Sequence, residues 1–193
     1  VTDKDPYSAY LFRKTMQKKF KEGFTNPPKK DPIEELENRE KVVLQKDFLK
    51  DYPKADKMLE NIQETISGLD IDHTVGIIDM TGTRQAALGK LGHFIGHSLL
   101  EYDEKRNHPD EKKTSGLSPW LHFGKISEYE IVKAALDHQL ENWTLEDLTP
   151  NGGKNSGFFN GNENIESFLD EVITWREVGF HFAHHVDNYD EFE

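Results

Sequence analysis

Across residues 83–106 the apolar side chains Ala87, Leu91, Phe94, Ile95, Leu99 and Tyr102 recur at intervals of three and four. That spacing lines one face of an α-helix and cannot alternate across a strand. It predicts a long, well-buried helix, and the rest of the chain offers it neither a strand ladder nor an internal repeat to pack against. A second stripe, Phe168, Leu169, Val172, Ile173, Trp175, Val178, Phe180 and Phe182, follows Asn162, a residue suited to capping a helix. Because this stripe is apolar nearly all round, a central position is expected for it. The predicted architecture is all-α.

Weaker patterns fill in the remainder. A loose stripe beside basic residues predicts a helix over residues 7–21, ended by Asn26, Pro27 and Pro28. Pro32 stands at a first-turn position for a charged helix over 33–50, and Pro53 for another reaching Ile66 before Gly68. Residues 69–80 are apolar and partly β-branched without a helical period, so they read as an extended connection. Ser118 and Pro119 offer a capping hydroxyl and a proline at the first helical position. Ser127 with Glu130 makes a capping box that should open a helix to about Leu140, and 149–161, rich in Gly and Asn, is a loop.

Composition narrows the function classes. The 193 residues include no cysteine, which removes disulfides, thiolate zinc sites, iron–sulfur clusters and cysteine nucleophiles. A net charge of -12 argues against indiscriminate nucleic-acid binding. Its distribution is uneven: Arg13, Lys14, Lys18, Lys19, Lys21, Lys29 and Lys30 face the single acid Glu22, so a local basic face is possible. No run approaches the roughly 18 to 20 uncharged apolar residues a bilayer needs, and no signal-peptide pattern is present. A soluble, cytoplasmic monomer without membrane contact is the expectation. The chain opens on Val1 and stops just after a dense aromatic and histidine segment, which suggests an excerpt of a longer protein.

Four groupings could carry chemistry. His93, His97 and Glu101 share one helical face as a metal site requires, but Phe94 stands where a zinc-hydrolase helix places its glutamate. Polar helix positions are the preferred reading there, and His181, His184 and His185 are read the same way, as a partly exposed helix end. The stretch Thr114, Ser115, Gly116, Leu117, Ser118 brings hydroxyls and free backbone N–H groups together just where a helix should begin. Such a loop suits a pyrophosphate, and suits equally a plain helix start. Phe168, Glu171 and Trp175 stand three and four apart, hence on one helical face. A carboxylate beside an indole can read a flat, hydrogen-bonding ligand such as a nucleobase. The alternative is a core tryptophan, with Glu171 paired to an Arg or Lys elsewhere.

Taken in order, these residues resemble a known family. Leu100-Glu101-Tyr102, Arg106-Asn107, Pro109 and the run from Thr114-Ser115-Gly116-Leu117-Ser118-Pro119-Trp120-Leu121-His122-Phe123-Gly124 to Lys125-Ile126-Ser127 are similar to the opening of the FAD-binding domain of photolyases and cryptochromes. Phe168-Leu169-Asp170-Glu171 through Trp175-Arg176-Glu177 falls at the right distance beyond. The resemblance covers residues 82–189, with a weaker likeness around 7–19. It implies residues 1–81 as an irregular interdomain connection with peripheral helices, and 82–193 as the first part of a helical FAD-binding domain.

By position, the resemblance assigns Tyr102, Thr114, Ser115, Gly116, Leu117, Ser118 and Phe168 to FAD. Glu171 and Trp175 would meet a flipped lesion in damaged DNA containing pyrimidine dimers, and Arg176 a DNA phosphate or a neighbouring carboxylate. The four-residue gap from Glu171 to Trp175, and the aromatic and histidine run over 180–189, resemble class II-like bacterial deoxyribodipyrimidine photolyases. The implied activity is light-dependent DNA repair, in which FAD-mediated electron transfer splits cyclobutane pyrimidine dimers. A cryptochrome-like blue-light sensor and a helical metal-binding or scaffold protein are the rivals. Counterparts of the family's antenna domain and of the second half of its helical domain are missing, so the isolated chain is expected to bind FAD weakly or not at all.

Overall fold

The computed structural model describes residues 8–29, 31, 32, 43–52, 54–189 and 191. Among them there is helix, turn and loop but no strand, so the architecture is all-α as the periodicity predicts. None of the described helices is long and apolar enough to cross a membrane. Two compact units are present: the described residues up to Pro28 together with those from Thr81 onward, and residues 29–80. The first helix therefore belongs to the same unit as the later part of the chain.

In the larger unit, α1 (Ala9–Thr25) starts where the Ser8 hydroxyl accepts from the Leu11 N–H at 3.4 Å, and it buries Phe12 and Met16. The helix predicted over 83–106 is three pieces: α5 (Arg84–His97), a 3-10 turn (Leu99–Glu101) and α6 (Tyr102–Lys105). Ser98, a weak helix former, leaves the helical region at φ -127° and breaks it. The Thr83 hydroxyl caps α5 through the Ala86 N–H at 3.3 Å. Short α7 (Ser118–His122) takes Leu117 as its N-cap, so Ser118 is its first residue and its hydroxyl makes no cap bond, contrary to the sequence expectation. The expected capping box of α8 (Glu128–Gln139) is present, with both Ser127 and Glu130 bonds formed.

The last apolar stripe is one continuous rod of three helix types. It runs through α9 (Glu163–Leu169), a π-helical turn (Asp170–Trp175) and α10 (Arg176–His185). The Asn162 side-chain oxygen opens it, accepting from the Asn164 and Ile165 N–H groups at 3.0 and 3.2 Å. Its first half is central: Ile165, Phe168 and Leu169 are buried, and Phe168 meets Phe94 and Tyr102 at ring-centroid distances of 4.7 and 5.3 Å. Each such side chain contributes about 1.5–3 kcal/mol by leaving water. The second half is not central, which corrects the expectation. α1 packs chiefly on the π turn and α8 on both α9 and that turn, and beyond them α10 leaves Phe180 58% and Phe182 53% exposed.

Loop 149–161 is bound to α1 by one buried side chain. Gln17 accepts from the Asn151 and Gly153 N–H groups at 3.2 and 3.0 Å and donates to the Lys154 carbonyl at 3.0 Å. Gly153, at φ +92°, is required here, since a Cβ would stand 2.8 Å from the Tyr10 carbonyl oxygen.

The smaller unit holds α2 (Lys46–Asp51), α3 (Asp56–Glu60) and α4 (Ile62–Ser67). None of its described side chains is fully buried. Most of the helix predicted over 33–50 lies outside the described residues. The one expected after Pro53, itself outside them, is divided at Asn61, whose side chain instead caps α4. Residues 69–80 form no helix or strand; bends and turns run through 69–75, so the segment is a connection but not a continuously extended one.

Candidate functional site

The hydroxyl-bearing turn is anchored at both ends. Upstream, Lys113 pairs with Glu101 and donates to the His97 carbonyl at 3.3 Å, while Lys105 grips the same carboxylate. The two ammonium groups hold the Glu101 carboxyl down to about 2. Downstream, Leu117 is buried and the Trp120 indole N–H donates to the Thr81 carbonyl at 3.0 Å. Between these anchors Gly116 takes φ +62°, a left-handed conformation that glycine adopts without steric cost. Thr114, Ser115 and Ser118 stay at the surface, and the Ser115 hydroxyl accepts from the Leu117 N–H at 3.4 Å.

These residues form one wall of a hollow of about 810 Å³. Its opposite wall comes from Tyr102 and the last rod: Phe168, Glu171, Val172, Arg176 and Phe180. Eight of the ten site residues expected from sequence line it. Leu117 does not, because it is the turn's buried anchor. Trp175 does not either: it lines a neighbouring polar cleft of about 400 Å³ together with Arg13, Arg106 and Asp170. The wider i to i+5 bonding of the π turn rotates Trp175 away from its α-helical position. Glu171 lines both depressions and divides them.

The charges at this wall are organised in pairs. Arg106 donates from Nη1 to Glu171 Oε1, and its guanidinium lies 5.7 Å from the Tyr102 ring centroid. That carboxylate raises the Arg106 guanidinium further. Glu171 Oε2 has no partner among the described residues and remains an acceptor. Trp175 is 50% exposed and is therefore not a core tryptophan. Arg13 forks onto Asp170 at 2.6 and 2.8 Å and ties α1 to the π turn. Arg176 meets Glu177 at 2.6 Å and Glu128 at 3.3 Å, and lies 4.6 Å over the Phe180 ring. Burial pushes the Tyr102 hydroxyl up, so it stays protonated as a donor.

The histidine groups take other parts. His93 and His97 stack at 4.5 Å, and Glu101 is engaged by its two lysines. Among the described residues no group of three or more His, Asp or Glu side chains is placed to hold a metal ion. His181 stacks on His185 and meets Phe12 edge-on, and burial lowers its imidazole below the usual value.

Sequence spacing missed the pairs that join distant elements. Arg106 lies 65 positions before Glu171, and Arg13 lies 157 before Asp170. Periodicity reports neighbours on one helix, so nothing local marks these partners; Arg106 stood out only as part of the resembling run.

No family model matches the chain. The chain is 27% identical to a deoxyribodipyrimidine photo-lyase of Potorous tridactylus over 66% of its own length and 20% of the relative's. With a protein of the same name from Oryza sativa subsp. japonica it shares 29% identity over 55% of this chain and 17% of the relative. One from a Synechococcus strain is 44% identical over 26% of this chain and 10% of the relative. The chain spans about a fifth of the length of the first of these. Distant and partial as they are, these likenesses support a place in the photolyase family.

Proposed function

We propose that this chain forms one wall of the FAD- and lesion-binding site of a class II-like deoxyribodipyrimidine photolyase, a light-dependent DNA-repair enzyme. The observation that carries the reading is the single hollow into which the hydroxyl-bearing turn, Phe168 and Glu171 all open. Its volume lies in the range of cofactor sites. When bound, reduced FAD would supply the light-driven electron that opens a cyclobutane dimer.

The chain's own residues do the holding. Thr114, Ser115 and Ser118 offer hydroxyl donors to phosphate oxygens, and Tyr102 with Phe168 provides an apolar wall that excludes water. Arg106 holds Glu171 in place through Oε1, so Oε2 takes an N–H from the edge of an extruded base. Trp175, half exposed beyond Glu171, offers a face for stacking. Arg176 is already neutralised by two carboxylates, so it braces α8 against the rod and is not a free phosphate ligand.

The test uses the full-length protein, reduced and loaded with FAD, and an oligonucleotide carrying one pyrimidine dimer. Blue or near-ultraviolet light should restore the monomers, and no loss of dimer would sink the enzyme reading. In the same assay Trp175→Ala should weaken binding of the dimer-containing strand by about 1–3 kcal/mol, the worth of one base–aromatic stack. Unchanged affinity would remove Trp175 from the binding face.

A further inference from the structure

We propose that Lys90 is the counter-charge for a diphosphate lying on the 114–118 turn. The inference rests on the reading of the hollow as a dinucleotide site, and it adds a residue that neither spacing nor resemblance singles out.

The turn by itself is poor in charge. Thr114, Ser115 and Ser118 are neutral donors, whereas a diphosphate is multiply anionic. Most nearby cations are committed: Lys105 and Lys113 to Glu101, Arg106 to Glu171, Arg176 to Glu177 and Glu128. Lys90 is different. It projects from α5, is exposed, and has no ion-pair partner among the described residues.

Its position is set by Gly116. A Cβ built there would stand 3.0 Å from Lys90 Cε and 3.5 Å from Nζ, so the lysine stem crosses the turn over the one residue without a side chain. Gly116 itself lines the hollow. Lys90 is not itself among the lining residues, but its ammonium stands beside Gly116, in the middle of the hydroxyl row, where a charge-assisted bond to a phosphate oxygen would exceed any the hydroxyls make. Glycine at 116 does two jobs: it takes φ +62°, and it leaves the lysine its path.

The test titrates the full chain with ADP and with adenosine, followed by calorimetry or by amide chemical shifts, for the wild type, Lys90→Met and Lys90→Arg. Lys90 is exposed, so both variants should fold. The wild type should prefer ADP to adenosine, Lys90→Met should cut that preference about tenfold, and Lys90→Arg should restore most of it. Adenosine affinity should be the same in all three, and the salt sensitivity of ADP binding should fall in Lys90→Met. If Lys90→Met binds ADP as well as the wild type, the role of Lys90 is overturned while the dinucleotide reading stands. If the wild type does not distinguish ADP from adenosine, both fall.

Discussion

Glu166 is a carboxylate almost withdrawn from water, and it shows how one residue can organise a loop. It accepts from the backbone N–H groups of Phe159, Gly161 and Phe158 at 2.9, 3.2 and 3.3 Å. Burial pushes its carboxyl up, with the amide bonds opposing. For a raised carboxyl the folded state binds its proton more tightly than the unfolded chain does. Its contribution to stability is therefore full at low pH and shrinks as pH rises through the folded value. Glu166→Ala would strand three donors and should cost about 1–3 kcal/mol per the usual penalty for unsatisfied buried groups. Urea unfolding measures this, and an unchanged midpoint would show that the loop does not depend on the carboxylate. Nothing in the sequence marks Glu166, because its partners are main-chain groups of a loop that only folding brings near. Glu171 and Trp175 were legible as a pair on one rod, but not Arg106, whose approach depends on how α6 meets that rod.

At the scale of elements, caps were legible where they obey local chemistry. Ser127 and Asn162 cap as their sequence context predicts, since a cap involves only a few consecutive residues. Ser118 fails because its turn begins one residue earlier, at a leucine whose side chain is drawn into the core. The break at Ser98 and the π turn were not legible, for both are settled by what the apolar face must meet. The α8 cap is also tied to another element: Arg84, first in α5, pairs with Glu130. With the Ser127 bonds, this pairing holds the Glu130 carboxyl at about 2, below its ordinary 4.5. A depressed carboxyl contributes stability above the unfolded value, and the contribution is lost as pH falls toward about 2. Both side chains are partly exposed, 48% and 31%, so the effect is modest. Melting temperatures of the wild type should fall more steeply between pH 4.5 and about 2 than those of Glu130→Gln. Parallel curves would mean that the pair is not formed in solution.

For the whole molecule, two regularly spaced apolar stripes were enough to read an all-helical body. They could not show that the second half of the last rod lies open, because exposure depends on what packs against a helix and not on its own period. The hollow is a property of this larger scale. α6, the 114–118 turn and the rod each supply part of it, and only their packing brings the hydroxyls together with Phe168 and Glu171. The resemblance to photolyases pointed to the same residues by their order, which packing alone would not require. The most direct test of the account is a titration of the isotopically labelled chain with FAD to millimolar concentration, mapped by amide chemical shifts. Even weak binding should move the amides of Ser115, Gly116 and Glu171 while leaving those of His93 and the α2–α4 region in place. Shifts confined to regions away from the hollow would contradict it.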